Sequence, residues 1–436
     1  MNWQAQHPPL YYLVLSPVYL ATRNLSWAMH LFSLRLASYL LAWAALILGV
    51  YACATTVPSG FGGSTAAPSW AMLGIAVWPT LLPSWFPEMA RLGNDSLAAL
   101  ILAGLWLVVI RAVGTELSVT KSLTLGALLG AGCLTKAFFV PVTVGVLAFW
   151  IVRVWMLTGT SALAPMALRL GILLLVTGSI AGWWYFENWQ DYGVALGSET
   201  MIKLRNAGGL ISGLGENFTL TAWVRGHVAF LTTLAWSCTW SLARPAYPYL
   251  APMTGIVLLT AGAYLAALRR FPPGAVAWLP AWLAAPTVLG FSVHVLVRVA
   301  LTGEGRGTNG YYLHFLTVAL GTALGLGVGT WWSREGFRRV VAGCAAYAVL
   351  FAVALSWAQV MLFSGWLVKS GANKFYQAPV ALPPWLGLSD ALTRLTVLAY
   401  PRLAASAWVA GGILVLIGLA SAWKASRALE DPARCA

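Results

Sequence analysis

Long apolar runs alternate with short polar connections along almost the whole chain. A helix that crosses a bilayer needs about 20 mostly apolar residues, because each residue adds only about 1.5 Å along the axis. The pattern therefore predicts an all-α polytopic membrane protein with eleven transmembrane helices. The predicted spans are residues 33–54, 68–86, 95–113, 122–140, 141–157, 164–186, 249–268, 275–298, 310–332, 339–363 and 404–423.

The segments between the spans predict the rest of the architecture. Residues 10–22 are apolar but too short to cross, so they predict an interfacial or re-entrant helix within an outer segment, residues 1–32. Two long outer loops are predicted at 187–248 and 364–403. Since no linker or internal repeat divides the chain, we expect a single transmembrane domain over residues 1–436.

Composition agrees with a bilayer as the solvent. The chain is 60% hydrophobic and 9% charged, whereas soluble proteins carry about a quarter charged residues. The net charge of +14 does not indicate nucleic acid, because the 26 Lys and Arg residues are scattered between apolar runs rather than gathered in a patch. The five cysteines have no CxxC spacing and no neighbouring histidine, so they predict neither a metal site nor a disulfide.

Lysine and arginine in the short loops predict the orientation, because cytoplasmic loops carry the excess of basic residues. The rule places the C-terminus in the cytoplasm and the N-terminus outside. The cytoplasmic connections hold Arg111, Lys121, Arg153, Arg169, Arg269, Arg270, Arg334, Arg338 and Arg339. Because residues 1–12 contain no signal peptide, we expect a further helix before residue 1. The alternative is that the short N-terminal tail crosses the membrane unaided.

Ionisable residues at the outer ends of helices are the candidate chemistry, because charge near hydrocarbon is costly. Asp95 opens a span, where an acid acts either as a helix N-cap or in a functional site. Lys136, between two spans, needs a bound anion such as phosphate, unless its ammonium reaches out to the interface. Glu187 and Asp191 follow a span and fit either a site or a solvated loop. His7 and His314 lie at outer ends and are candidates for contact with substrate.

Several sequence strings, taken in order, resemble the GT-C glycosyltransferases. The nearest groups are the protein O-mannosyltransferase-like and the lipid A aminoarabinose transferase-like enzymes. The strings occur in family order over most of residues 5–330, and all lie on the predicted outer side. They read HPPLYYLVLSPVY with LRLAS, then NDSLAAL, GALLGAGCLTKAF, GWWYFENWQDYGVALG and GTNGYYLHFLTVALG.

The resemblance implies an enzyme of the bacterial inner membrane that transfers a sugar from a polyprenyl-phosphate carrier on the periplasmic or exoplasmic face. It implies no cofactor beyond the lipid-linked sugar donor, while a divalent metal and protein partners are left open. By position, Asp95 matches an acid of the family and becomes the candidate catalytic carboxylate, and Lys136 matches the lysine of its LTK string. The remaining candidates for substrate binding are His7, Glu187, Asp191, Arg306, Tyr311 and Tyr312.

Two departures from the family pattern leave activity open. The family's catalytic Asp lies upstream of HPPL, where the nearest residues here are Gln4 and Gln6. The late GRY string of the family reads Gly310-Tyr311-Tyr312, with Arg306 as the available substitute. The alternatives are therefore an inactive GT-C-fold protein that binds lipid or serves a membrane complex, and a transporter. A transporter is disfavoured because the charges lie at helix ends rather than at the bilayer midplane.

Overall fold

The computed structural model of the chain is almost entirely helical. It describes residues 8–55, 61, 65–113, 117–159, 163–196, 199–236, 247–272, 274–363, 368–370 and 375–377. The α-helices of this part are α1 (Leu10–Thr22), α2 (Trp27–Ala54), α3 (Ala67–Leu81), α4 (Trp85–Ala90), α5 (Asp95–Val113), α6 (Val119–Cys133), α7 (Phe139–Thr158), α8 (Leu163–Tyr192), α9 (Glu199–Asn206), α10 (Leu210–Asn217), α11 (Leu220–Ala235), α12 (Tyr247–Leu268), α13 (Leu279–Thr302), α14 (Thr317–Trp331) and α15 (Glu335–Phe363). Short 3₁₀ helices, Val276–Trp278 and Gly310–Leu316, lead into α13 and α14. The predicted all-α class is confirmed.

The chain divides into two compact units. The first contains the residues up to Ala21 together with Leu34–Val353, and the second contains Thr22–Ser33 and the residues from Ala354 onward. In the second unit, the hydroxyl of Thr22 lies 2.8 Å from Nδ1 of His30. Two three-residue strands, β1 (Val368–Ser370) and β2 (Phe375–Gln377), pair antiparallel there. The prediction of a single transmembrane domain stays a prediction.

Eight helical segments of the described residues are long and apolar enough to cross a bilayer. They are Trp27–Ala54, Asp95–Val113, Phe139–Thr158, Ala164–Tyr192, Pro248–Leu268, Val276–Thr302, Gly310–Trp331 and Glu335–Leu355. The predicted spans 68–86 and 122–140 fall on α3 and α6, which have 15 residues each. Such helices are about 22 Å long, less than the roughly 30 Å hydrocarbon core. The predicted span 404–423 lies outside the described residues, so the total of eleven stays a prediction.

Helices α3 and α14 pack with their backbones in contact. A β-carbon added to Gly325 would collide with the carbonyl oxygen of Trp70, and one added to Gly74 would collide with that of Gly321. Small residues allow this approach, which is how helices gain contact in a bilayer that offers no hydrophobic drive between them. The contact holds α14 firmly, and the outer end of α14 carries part of the candidate site.

Helix α1 coincides with the predicted interfacial segment, residues 10–22. Tyr11 on its inner face is buried, and its hydroxyl lies 2.6 Å from the Ser38 hydroxyl. Burial raises the pKa of Tyr11 to about 12. The backbone amide of Leu10 donates to the carbonyl of Leu134, while Leu13 and Leu20 on the other face are exposed. An amphipathic helix of this kind fits a membrane interface.

The predicted outer loop 187–248 contains the end of α8 and three further helices, α9, α10 and α11. The Asn217 side chain at the end of α10 donates to the Ala300 carbonyl over 2.9 Å. Thr233 of α11 accepts from the amide of Gly310 over 2.7 Å. The segment therefore packs on the ends of α13 and α14. Apart from β1 and β2, the other predicted loop, 364–403, lies outside the described residues.

Candidate functional site

Asp95 and Lys136 are brought together at the predicted outer ends of α5, α6 and α7. Asp95 is the first residue of α5, and Lys136 lies in the turn between α6 and α7. The side chain of Asn94 ties the two segments together by donating to the Thr135 carbonyl over 2.7 Å. The Lys136 ammonium donates to Oδ1 of Asp95. Both side chains are buried, with Asp95 1% and Lys136 7% exposed.

Two further charged residues complete the group. Arg91 Nη2 donates to Oδ2 of Asp95 over 3.0 Å, and its Nε lies 3.0 Å from Oε2 of Glu88. Helix α4 carries Glu88, which is 3% exposed, and ends just before Arg91. We refer to Glu88, Arg91, Asp95 and Lys136 as the charge cluster. It alternates in sign, and each carboxylate contacts at least one cation.

Aromatic rings cover the cations of the charge cluster. The Arg91 guanidinium lies 5.0 Å from the ring centre of Tyr311. The Lys136 nitrogen lies 4.8 Å from the ring centre of Tyr312 and 5.1 Å from that of Phe138. Such placement stabilises a cation electrostatically, more strongly when water is excluded. The 3₁₀ helix before α14 therefore supplies both rings of the GYY string.

The electrostatics of the cluster depend on Glu88. Burial raises the pKa of Glu88 to about 7, against the opposing effect of the Arg91 charge. Burial also disfavours the charge on Arg91, but Asp95 and Glu88 outweigh it and raise the pKa of the guanidinium. With all four groups ionised the cluster is neutral. With Glu88 protonated it has one excess positive charge, the charge that an anionic ligand would match.

His314 lies deeper than the sequence indicated. It is fully buried, and Nε2 lies 2.8 Å from the hydroxyl of Ser84, which donates to the Leu234 carbonyl over 3.1 Å. Its Nδ1 is buried and has no hydrogen-bond partner among the described residues. A side chain in this position holds α4 against the start of α14, and the predicted contact of His314 with substrate stays a prediction.

The remaining sequence candidates lie away from the cluster or cannot be placed. Glu187 and Asp191 are exposed near the end of α8, and Arg306 is exposed in the loop before the 3₁₀ helix. No hydrogen bond or ion pair among the described residues joins these three side chains to the cluster. His7 lies outside the described residues. The binding roles predicted for them stay predictions.

The positive charge of Lys136 is balanced by a carboxylate of the same chain. The sequence left either a bound anion or a side chain reaching out to the interface, whereas the structure supplies Asp95 as the counter-ion. Both Asp95 oxygens are engaged by side-chain cations rather than serving only as a helix cap. The catalytic role of Asp95 stays a prediction, and the geometry favours a positioning role for it.

Sequence reasoning missed Glu88 and Arg91. Both lie in the string WFPEMARLGND, with Arg91 three residues after Glu88 and four before Asp95. That spacing places side chains on one face when the segment is helical, and it was the available signal. No group of three His, Cys, Asp or Glu side chains within the described part of the chain is arranged to hold a metal ion.

Fold and site together define a polytopic helical membrane protein with a buried charge cluster at the predicted outer ends of its helices. No protein-family model matches the sequence, and no curated protein matches it. Two solved structures resemble it, both of ArnT from Cupriavidus metallidurans, a GT-C enzyme and lipid A aminoarabinose transferase.

The two ArnT structures differ in what they hold. The one bound to undecaprenyl phosphate has a TM-score of 0.47 at 15% identity and covers 91% of this chain. The apo structure has a TM-score of 0.43 at 15% identity and covers 92%. This chain spans 62% of the length of each ArnT chain.

Proposed function

We propose that the protein is a glycosyltransferase that uses a polyprenyl-phosphate-linked sugar on the periplasmic or exoplasmic face of a bacterial inner membrane. The observation that carries the proposal is the pairing of Arg91 and Lys136, which are held by carboxylates and covered by aromatic rings at the predicted outer side. Arginine and lysine are the side chains that bind phosphate, and aromatic rings suit both sugar and isoprenoid.

The cluster fits the charge changes of such a reaction. The bond between the anomeric carbon and the phosphate oxygen breaks, and a bond from the acceptor oxygen to that carbon forms. Negative charge gathers on the departing lipid phosphate, where Arg91 and Lys136 stabilise it. The acceptor's proton passes to a carboxylate.

A second candidate function is lipid binding without catalysis. Asp95 supports it, since Lys136 and Arg91 engage both of its oxygens and leave neither free to meet an acceptor hydroxyl. In this alternative the cluster holds the phosphate of a polyprenyl lipid, and the protein serves a membrane complex. The two functions share the ligand and differ in the transfer step.

The test is a pair of measurements on the purified full chain in nanodiscs. Binding of polyprenyl phosphate and transfer of label from a polyprenyl-phosphate sugar are compared for the wild type and Lys136→Ala. We expect the substitution to abolish both. The control, Lys203→Ala, removes an exposed lysine paired with Glu199 and leaves both unchanged. Unchanged lipid affinity in Lys136→Ala contradicts the site, whereas binding without transfer by the wild type favours the second function.

The face of the membrane is tested separately. The native cysteines are first replaced. Glu304→Cys then places a cysteine in the loop between α13 and the 3₁₀ helix that carries Tyr311, and Arg269→Cys places one just after the end of α12. A membrane-impermeant maleimide added to intact cells should label position 304 and should reach position 269 only after permeabilisation. The reverse labelling overturns the proposed face without affecting the binding site.

A further inference from the structure

A groove separate from the charge cluster lies between the C-terminal half of α12 and the start of α15. Its volume is about 740 Å³, within the range of ligand sites, and apolar side chains such as Leu259 and Phe337 line it. The two helices meet where the hydroxyl of Tyr347, midway along α15, donates to the carbonyl of Tyr249 near the start of α12 over 2.8 Å. Gly262 leaves space in the groove wall, because it carries no side chain. A β-carbon added there would have no heavy atom within 4 Å.

Two arginines lie against Trp331, one of the residues that line the groove. The Arg334 guanidinium, part of the lining, lies 4.5 Å from the ring centre of Trp331, and that of Arg270 lies 4.8 Å from it. Arg270 also donates to the Thr330 carbonyl over 3.1 Å. Within the described residues, neither arginine forms an ion pair with a carboxylate. Glu335, the acid nearest in sequence, pairs with Arg339 instead.

We propose that this groove binds an anionic glycerophospholipid of the predicted cytoplasmic leaflet. An acyl chain lies along the apolar walls, and the phosphate is held by Arg334 and Arg270. Charge complementarity selects this occupant, since a zwitterionic lipid such as phosphatidylcholine brings no net negative charge to the two arginines. Basic pockets between transmembrane helices on the cytoplasmic side bind anionic head groups in this way. The tryptophan between the arginines suits the interface, where its ring lies at head-group level.

The site lies at the opposite end of α14 from Tyr311, so it does not depend on the proposed transferase function. The end of α12 and the start of α15 both carry the basic residues that predict the cytoplasmic side. A lipid here would join α12 to α15 at the end where the two helices leave space between them. The predicted effect of the lipid is therefore on the packing of these helices rather than on sugar chemistry.

Photolabelling tests the site. The full chain is placed in phosphatidylcholine nanodiscs that contain a trace of phosphatidylglycerol with a photoreactive acyl chain, and labelled peptides are mapped by mass spectrometry. Label is expected on the groove faces of α12 and α15. Unlabelled phosphatidylglycerol should compete with it and added phosphatidylcholine should not. Equal competition by phosphatidylcholine would mean that bulk lipid fills the groove, which overturns the proposal.

Four variants separate the groove from general surface charge. Arg334→Gln should lower labelling about fivefold, the contribution of one basic residue near an anionic head group. Gly262→Leu should abolish labelling, because the new side chain occupies the groove without a clash. The controls are Arg339→Gln, which removes an exposed charge five residues further along the chain, in α15, and Gly255→Leu, which adds the same side chain two turns away in open space. Equal losses in a variant and its control contradict the assignment.

Discussion

Protonation of Glu88 should control how tightly the charge cluster binds a lipid phosphate. The pKa of Glu88 is raised to about 7 by burial, so about nine-tenths of the molecules carry the neutral form at pH 6 and about one-tenth at pH 8. Arg91 stays charged throughout, because the carboxylates around it raise its pKa. The cluster thus changes from one excess positive charge to none as the pH rises.

The size of the effect follows from this charge change. An ionised Glu88 roughly 6 Å from a bound phosphate opposes it by about 3 kcal/mol at an effective dielectric constant of about 20. That is on the order of a hundredfold in affinity, so the neutral form accounts for nearly all binding. The apparent affinity then follows the neutral fraction and should fall about tenfold between pH 6 and pH 8.

The assay uses a polyprenyl-phosphate sugar as the ligand, because a phosphodiester keeps one negative charge over this range and does not titrate itself. Wild-type affinity should decline above pH 7, whereas Glu88→Gln should give a flat profile and bind about tenfold more tightly than the wild type at pH 8. Glu304→Gln, which removes an exposed carboxylate from a loop on the same predicted side, serves as the control and should keep the wild-type slope. A Glu88→Gln profile that declines in parallel with the wild type refutes the reasoning.

Three further predictions concern packing and the cluster. Gly325→Val should lower the thermal unfolding midpoint, because its β-carbon meets the backbone of α3; overpacking of this kind costs about 1–3 kcal/mol or more, and Gly343→Val in open space is the control. Asp95→Asn should destabilise the protein by roughly 3 kcal/mol, because it leaves the buried Lys136 charge without its counter-ion. Adding Lys136→Met should recover most of that stability without restoring lipid binding. A double variant that does not recover stability contradicts a counter-ion role for Asp95. Tyr312→Ala should weaken lipid binding about fivefold in the nanodisc assay, while a phenylalanine there retains the ring face over the ammonium; equal loss in both variants would point to the hydroxyl.

Membrane architecture was predictable because its signals are local. A long apolar run specifies a spanning helix without reference to the rest of the chain, so the span 95–113 and the interfacial helix 10–22 coincide with α5 and α1. Helices α3 and α6 are shorter than predicted because apolar residues continue beyond each helix end into turns. Pro83 also limits the extension of α3, because a proline disfavours the helical conformation of the residue before it, and Leu82 leaves the helix with φ −119° and ψ 81°.

Two of the four residues of the charge cluster were predicted from the sequence. The other two were missed because only the fold brings them into the cluster. Asp95 and Lys136 stand out because each interrupts apolar sequence at a helix end. Their direct contact depends on the turn between α6 and α7 packing beside the start of α5, which no local pattern encodes. Glu88 and Arg91 precede a span in a short polar segment, where charged residues are ordinary. Their i, i+3 and i+4 spacing also occurs on exposed helices, so their burial distinguishes them, and burial is a property of the fold.

The energetics of the cluster argue that it serves a ligand rather than the fold. Removing two cations and two carboxylates from water costs several kcal/mol for each ion, and their mutual attraction offsets this only in part. Apolar residues of similar volume would leave α4, α5 and the turn at Lys136 at least as stable, particularly beside hydrocarbon. The glycine contact between α3 and α14 already fixes the neighbouring helix without any charge. What apolar residues could not supply is an anion site whose net charge changes near neutral pH, and that capacity depends on Glu88 remaining buried beside Arg91.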